Sequence, residues 1–231
     1  NGVITAGTLI ANAAGNVNLG GVAHNVASLS GSAGGTFSFR DADGFQIGPA
    51  GSGGISAPTR VVLQADTGSI TQATGSPIDT AALEVNLPAG ALVLDGGSAN
   101  TTLAADLNRI DSLTQSVLSS FNANNGITIR NSGDLALNAW VVTDTAAGNV
   151  TLHSQSGNIT QPSNLITTNT LSVSAPAGSV ALTNGAVPPT TTSVVANELG
   201  AVGTVFVAGD FTLRTFLDMN LTGAVQVGTA A

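Results

Sequence analysis

The stretch VVLQADTGSITQ at residues 61–72 returns as VTLHSQSGNITQ at residues 150–161, an offset of 89 positions. In each copy, two short runs of alternating apolar and polar residues flank a glycine, Gly68 or Gly157. Alternation over about four to six residues, bounded by turn-forming residues, is typical of a short β-strand with one buried face. The stretch therefore predicts two short strands joined by a glycine turn, and its return predicts a repeat fold.

The repeat continues on both sides of this stretch. After a one-residue slip the match goes on at an offset of 88, a third copy lies at the start of the chain, and a looser second half follows in each copy. The matched positions are Ile4, Leu9, Ala11, Gly15, Val17 and Leu19 with Ile78, Leu83, Val85, Gly90, Leu92 and Leu94, then Val26, Phe37 and Phe39 with Ile110, Ile127 and Ile129 and with Leu199, Val205 and Val207. We interpret residues 1–231 as a single solenoid domain of about two and a half copies of a unit of about 88 residues.

The order of the repeated phrases selects among all-β folds. A sandwich or a barrel also has many short strands, but neither requires strand-for-strand self-similarity. Residues Thr101–Phe121 have approximate helical spacing, yet Ile110 and Leu113 also fit the repeat, so we favour repeat over helix there. The sequence predicts an all-β parallel β-helix (β-solenoid) of roughly ten coils, each of roughly 18 to 22 residues, with strands about 4.8 Å above their equivalents.

The alternation also predicts which side chains are buried. Val, Ile, Leu and Phe are expected to stack inward, and Thr, Ser, Asn and Gln are expected to face outward. A column of identical charges along the rod would repel itself, which agrees with a charged fraction of only 8%.

Composition excludes several classes of protein. The chain has 231 residues, 42% hydrophobic, with no Cys and a formal net charge of −8. This hydrophobicity disfavours disorder, and five basic residues against thirteen acidic ones leave no basic surface for nucleic acid. No apolar run reaches the roughly 18 residues of a membrane-spanning helix. The sequence predicts no nucleic-acid partner and no transmembrane segment.

Three segments interrupt the repeat. Asp95–Asn108 and Thr183–Asn197 replace a connection that is short in the first copy, between Leu19 and Val26, and Thr114–Asn125 has no counterpart. We expect these inserts to be loop excursions, with the first two on one side of the rod. Surface loops are where specific recognition most often resides.

Candidates for a metal or cofactor site are weak. His24 and His153 fall in different phrases of the repeat. His153 aligns with Gln64 at an outward position, and His24 is similarly placed beside Asn25 near a turn. Two separate His without Cys do not predict a zinc site. The segment RDADG at 40–44 has the start of a calcium loop, but its counterpart at 130–133 carries no carboxylate, so a solvated turn is favoured. The sequence predicts no metal site and no cofactor.

Candidates for catalysis are equally few. A polysaccharide-cleaving enzyme needs clustered carboxylates, and the nearest grouping is Asp106, Arg109 and Asp111. Surface pairs of this kind are usually solvated and weakly coupled. We therefore predict no catalytic residues and no enzyme, and keep a polysaccharide-active β-helix enzyme as the lesser alternative. Trp140 is predicted to be buried at a corner in preference to binding sugar.

Several phrases of the repeat resemble those of a known class of bacterial exoproteins. GNVTL at 148–152, SGNITQ at 156–161, ITAGTL at 4–9 and GTFSFRDADGFQIG at 35–48 are similar to filamentous-haemagglutinin-type repeats, and the resemblance covers most of the chain. It implies a right-handed parallel β-helix, export across the Gram-negative outer membrane by two-partner secretion, and a role in an adhesin. The sequence lacks the Asn-Pro-rich signature of the N-terminal secretion domain, and autotransporter passenger domains share the same pattern.

These observations together predict a structural shaft segment of a large secreted or surface-displayed adhesin or exoprotein. Its expected partners are neighbouring β-solenoid repeats or identical subunits, with a receptor or glycan bound through the insert loops. The alternative is a subunit of an extracellular filament that stacks end to end, because the strand-like segment 223–228 lies close to one end of the chain.

Overall fold

The computed structural model describes residues 2–49, 53–96, 106–115, 120–184, 196–216 and 218–228. These residues form 21 β-strands and no helix, and every pairing between the strands is parallel. The strands are β1 (Thr5–Ala13), β2 (Val17–Ala33), β3 (Thr36–Asp41), β4 (Phe45–Ile47), β5 (Ile55–Ala57), β6 (Arg60–Ala65), β7 (Ile70–Gln72), β8 (Ile78–Leu87), β9 (Ala91–Leu94), β10 (Arg109–Leu113), β11 (Phe121–Ala123), β12 (Gly126–Asn131), β13 (Leu135–Leu137), β14 (Val141–Val142), β15 (Asn149–Ser154), β16 (Ile159–Thr160), β17 (Ile166–Ala175), β18 (Val180–Leu182), β19 (Glu198–Val207), β20 (Phe211–Leu213) and β21 (Val225–Val227).

The strands lie in three stacks. The first stack begins with the start of β2, continues through β3, β6, the second half of β8, β11 and β14, and ends with the starts of β17 and β19. The second contains β4, β7, β9, β12 and β15, continued by the ends of β17 and β19 and by β21. The third contains β5, the first half of β8, β10, β13, β16, β18 and β20. The chain is thus a parallel β-solenoid of about eight turns, which confirms the predicted fold class.

One hydrophobic core runs through the stacks. It extends along the rod from Val17 to Val207, and its largest members, including Phe37, Phe39 and Phe121, have no solvent exposure. Each fully buried side chain of this kind contributes about 1.5 to 3 kcal/mol. Because a single turn encloses little apolar area, each turn depends on the turns above and below it.

Close stacking explains glycines at the start of strands in the second and third stacks. A Cβ atom added at Gly90 would lie 1.5 Å from the carbonyl oxygen of Gly68 on the turn below. At Gly178, its counterpart in the next copy, a Cβ would lie 2.1 Å from the carbonyl oxygen of Gly157. Gly68 itself has a φ of +73°, where glycine is favoured. The repeated glycines therefore serve both the turn and the approach of neighbouring turns.

The sequence repeat and the turns of the rod are out of phase. Val61 lies in the first stack, whereas its counterpart Val150 lies in the second. Ile70 lies in the second stack, whereas its counterpart Ile159 lies in the third. Successive partners in the second stack lead from Ile70 through residues 92 and 127 to Val150. One unit therefore spans three turns plus one stack, and the turn from residue 92 to residue 127, which carries the first insert, is longer than the coils expected from the sequence.

This phase shift changes where the inserts leave the rod. The first insert lies between β9 of the second stack and β10 of the third, and the second lies between β18 of the third stack and β19 of the first. The expectation that both inserts lie on one side is wrong, because successive copies are rotated by one stack. Residues 97–105, 116–119 and 185–195 of the inserts lie outside the described residues.

Candidate functional site

Five amide side chains lie inside the rod at or near the insert positions. Gln72, Asn108, Asn131, Gln161 and Asn197 are each at most 4% exposed. The prediction that Asn and Gln face outward is wrong for these five residues. A buried amide must have its donors and acceptor satisfied, so their partners show what they hold together.

Gln72 and Asn108 form a reciprocal pair that closes the first insert. Gln72 Nε2 donates to Asn108 Oδ1 at 2.8 Å, and Asn108 Nδ2 donates to Gln72 Oε1 at 3.3 Å. Asn108 Nδ2 also donates to the carbonyl oxygen of Leu94 at 3.0 Å, and the amide of Gly96 donates to Gln72 Oε1 at 2.9 Å. Both ends of the insert are therefore bound to Gln72 on the turn below.

Gln161 and Asn197 repeat this arrangement at the second insert. Gln161 Nε2 donates to Asn197 Oδ1 at 2.7 Å, and Asn197 Nδ2 donates back to Gln161 Oε1 at 2.9 Å. Asn197 Nδ2 also donates to the carbonyl oxygen of Leu182 at 3.1 Å. We name each reciprocal pair a Gln–Asn clamp.

The Asn of each clamp also accepts a backbone hydrogen bond, and the first copy preserves that bond with a histidine. Asn108 Oδ1 accepts from the amide of Ile78 and Asn197 Oδ1 from that of Ile166, both at 2.8 Å. His24 Nδ1 accepts from the amide of Ile4, the counterpart of Ile78, at 3.1 Å. His24 is 2% exposed and stacks on Phe39 with ring centroids 5.5 Å apart. The expected place of His24 near an outward turn is therefore wrong.

A second polar position lies one turn above the first. Each residue that we align at the clamp position pairs with it: His24 with Asp41, Asn108 with Asn131 and Asn197 with Thr215. This pairing makes Phe211 and Leu213 the third counterparts of Phe37 and Phe39, in place of Val205 and Val207. In the third copy, the sequence alignment of the looser second half is therefore wrong by one strand, and the first two copies keep their match.

Asp41 is the acidic member of this second set and is fully buried. Its Oδ2 accepts from the amide of Val26 at 2.9 Å, as Asn131 Oδ1 accepts from that of Ile110 at 2.9 Å. Burial raises the pKa of Asp41, against the two backbone hydrogen bonds that lower it. The interpretation of RDADG as a solvated turn is thus wrong for Asp41, although Asp43 is exposed.

The residues considered for catalysis are only partly brought together. Arg109 donates to Asp79 on the turn below, and Asp106 is buried. Arg109, Asp111 and Asp134 line an open cleft of about 460 Å³. Asp134, which the sequence analysis missed, accepts the backbone amide of Asn158 at 2.7 Å. That bond gives Asp134 a structural task between turns.

His153 lies in a second shallow cleft, of about 290 Å³, with Arg130 and the hydroxyls of Ser172 and Ser174. Its Nε2 lies 3.0 Å from Gln155 Oε1. Burial lowers the pKa of His153, and the nearby Arg130 charge adds to that effect. His153 is half-buried at the outward position that its alignment with Gln64 predicted.

Two further surface features concern ligands. Trp140 is 46% exposed, so the prediction that it is buried is wrong. A groove of about 750 Å³ crosses four turns, and its lining includes the polar side chains of Thr5, Asn25, Gln46 and Thr71 and the carboxylate of Asp43. Hydroxyl, amide and carboxylate groups in this arrangement are suited to hydrogen bonding with the hydroxyl groups of a ligand.

Comparison with known proteins leaves the chain without an assigned relative. It matches no protein-family model, no curated protein and no solved structure. Within the part of the chain that the structure describes, no three His, Asp or Glu side chains converge as metal ligands. The same residues include no helix long and apolar enough to cross a membrane.

Proposed function

We propose that this chain is a structural shaft segment of a large secreted or surface-displayed bacterial adhesin or exoprotein. The observation that carries the proposal is the continuous stack of in-register parallel turns around one core. About eight turns at about 4.8 Å each give a rod of about 38 Å. Such a rod holds whatever follows it at a fixed distance from whatever precedes it.

Contacts between turns support a role in which the rod resists stretching and bending. Backbone hydrogen bonds join strands of successive turns in all three stacks, and ion pairs join neighbouring turns. Arg40 bonds to Asp66, and Arg60 bonds to Glu84, each on the next turn. Stretching or bending the rod would break these bonds together, which favours a stiff spacer.

The resemblance to filamentous-haemagglutinin-type repeats supports the adhesin part of the proposal. Those repeats build shafts outside the Gram-negative outer membrane, so we place this chain in the secreted or cell-surface fraction. We propose that a receptor or glycan is bound through the inserts. The groove at Thr5, Asn25, Gln46 and Thr71 lies apart from the inserts, and its hydroxyl and amide groups suit a glycan as the ligand there.

Localisation on the source bacterium tests the proposal. Antibodies raised against the purified chain should label intact cells or the culture medium, and mild protease treatment of intact cells should remove the surface label. Labelling only after the cells are permeabilised would overturn the proposal.

Electron microscopy of the purified chain separates the shaft from the filament alternative. Dispersed short rods at high concentration support a shaft segment, whereas concentration-dependent polymers support end-to-end stacking. Incubation with plant, algal and bacterial glycans tests the lesser alternative, an enzyme. Turnover that is lost in Asp111→Asn would establish that alternative.

A further inference from the structure

The three copies of the repeat share one structural position, which holds His24 in the first copy and the asparagine of a Gln–Asn clamp in the other two. His24, Asn108 and Asn197 each accept the amide of the equivalent isoleucine, Ile4, Ile78 or Ile166. The connection before His24 is short, whereas long inserts precede Asn108 and Asn197. The same local hydrogen bonding is therefore compatible with connections of different length.

We propose that this position is an insertion port, a place where the solenoid accepts segments of arbitrary length and sequence without loss of strand register. The Gln–Asn clamp supplies the mechanism. In both long copies the asparagine at the end of the insert donates to the carbonyl at its start, that of Leu94 or Leu182. The same asparagine is bonded to the glutamine of the turn below. The rod thus contacts the same buried groups whatever lies between them.

The port changes corner from copy to copy. The first lies between Leu19 of the first stack and Ser28 of the second, the next between the second stack and the third, and the last between the third stack and the first. Three successive ports therefore face three different sides of the rod. If the proposed shaft function holds, binding segments carried by the ports surround the shaft, so that a partner can be engaged from any direction.

Insertion into the short port tests the inference directly. A ten-residue Gly/Ser segment is placed between Gly20 and Gly21, where the first copy has no long insert and where the register of β2 against β3 shifts between Leu19 and His24. The control carries the same segment between Thr67 and Gly68, a turn where the Thr67 amide donates to the Ala42 carbonyl at 3.1 Å and where a Cβ on Gly68 would lie 1.8 Å from the Asp43 carbonyl oxygen.

Urea unfolding followed by circular dichroism gives the result. The port insertion should leave the urea midpoint within about 0.3 M of the unmodified chain, because lengthening a loop adds little entropy. The control insertion should lower the midpoint by about 1 M or prevent folding. Equal damage at the two positions would overturn the inference, and so would tolerance at the turn alone.

The clamps are tested by removing their asparagines. Asn108→Ala and Asn197→Ala should each lower the urea midpoint by about 1 M, because each removes buried hydrogen bonds to the clamp glutamine, to a backbone amide and to the carbonyl at the start of the insert. Each should also speed proteolysis within its own insert only. Asn125→Ala, at an exposed residue with one bond to the Ala89 carbonyl, is the matched control and should change neither. Equal behaviour of the three variants would show that the clamps do not secure the inserts. These measurements use the isolated chain, so they stand apart from the cellular test of the shaft.

Discussion

Replacing Asp41 with Asn should stabilise the protein at neutral pH. The carboxyl is fully buried and has two backbone donors, the amides of Val26 at 2.9 Å and Asp43 at 3.2 Å. At the equivalent position, Asn131 Nδ2 donates to the carbonyl oxygens of Ile110 at 2.9 Å and Asp134 at 2.9 Å. An ionised carboxylate cannot make such donations, whereas an amide can.

The size of the effect follows from those hydrogen bonds. Each contributes about 0.5 to 1.5 kcal/mol. Asn gains two donated bonds but has a single side-chain oxygen, so it loses the bond that Asp41 Oδ1 accepts from the amide of Asp43, and Asp41→Asn should add about 1 kcal/mol at pH 7. For a chain of this size that corresponds to a rise of about 2 to 4 °C in Tm. The gain should be measured by thermal and urea unfolding.

The pH dependence fixes the sign of the argument. Because burial raises the folded-state pKa of Asp41, the folded protein binds a proton on this carboxyl more tightly than the unfolded chain does. The free energy of unfolding therefore falls as pH rises from the ordinary carboxyl pKa of about 3.9 through the raised value. Asn cannot titrate, so the advantage of Asp41→Asn should grow over that window and then level off.

Asp210→Asn removes the same formal charge at an exposed position and serves as the control. It should leave stability within about 0.5 kcal/mol of the parent. The reasoning fails if Asp41→Asn lowers stability at pH 7, or if its advantage is the same at pH 3 and pH 7.

Two further substitutions test the contacts between turns. Gly90→Ala should lower the free energy of unfolding by about 3 kcal/mol, because its Cβ would overlap a carbonyl on the turn below. Gly133→Ala, with open space around it, should stay within about 0.5 kcal/mol, and equal urea midpoints for the two variants would contradict this. Arg60→Met should destabilise by about 3 kcal/mol, because it takes the guanidinium away from the unexposed Glu84 carboxylate, whereas Arg40→Met, at an exposed pair, should lose less than about 1 kcal/mol; the reverse order in thermal unfolding would refute the assignment.

The clamp residues recur in the sequence, but the sequence alone did not predict that they are buried. Gln72 and Gln161 occupy the same place in the repeated phrase, and Asn108 and Asn197 end the two inserts. Their recurrence was visible, but polar residues in a strand pattern are normally assigned to solvent. Only the stack showed that these amides replace missing backbone partners inside the rod.

The sequence by itself determined the all-β parallel solenoid, because alternation of apolar residues is a local property and its recurrence in fixed order leaves one economical way to bury them. The tertiary structure alone decided the phase between repeat and turn. The stack to which a strand belongs depends on which strand lies about 4.8 Å below it. That pairing depends on the number of residues in each turn, which the repeat does not give. The corners that carry the inserts follow from that phase, and the burial of His24 and Asp41 and the exposure of Trp140 are likewise visible only in the stacked turns.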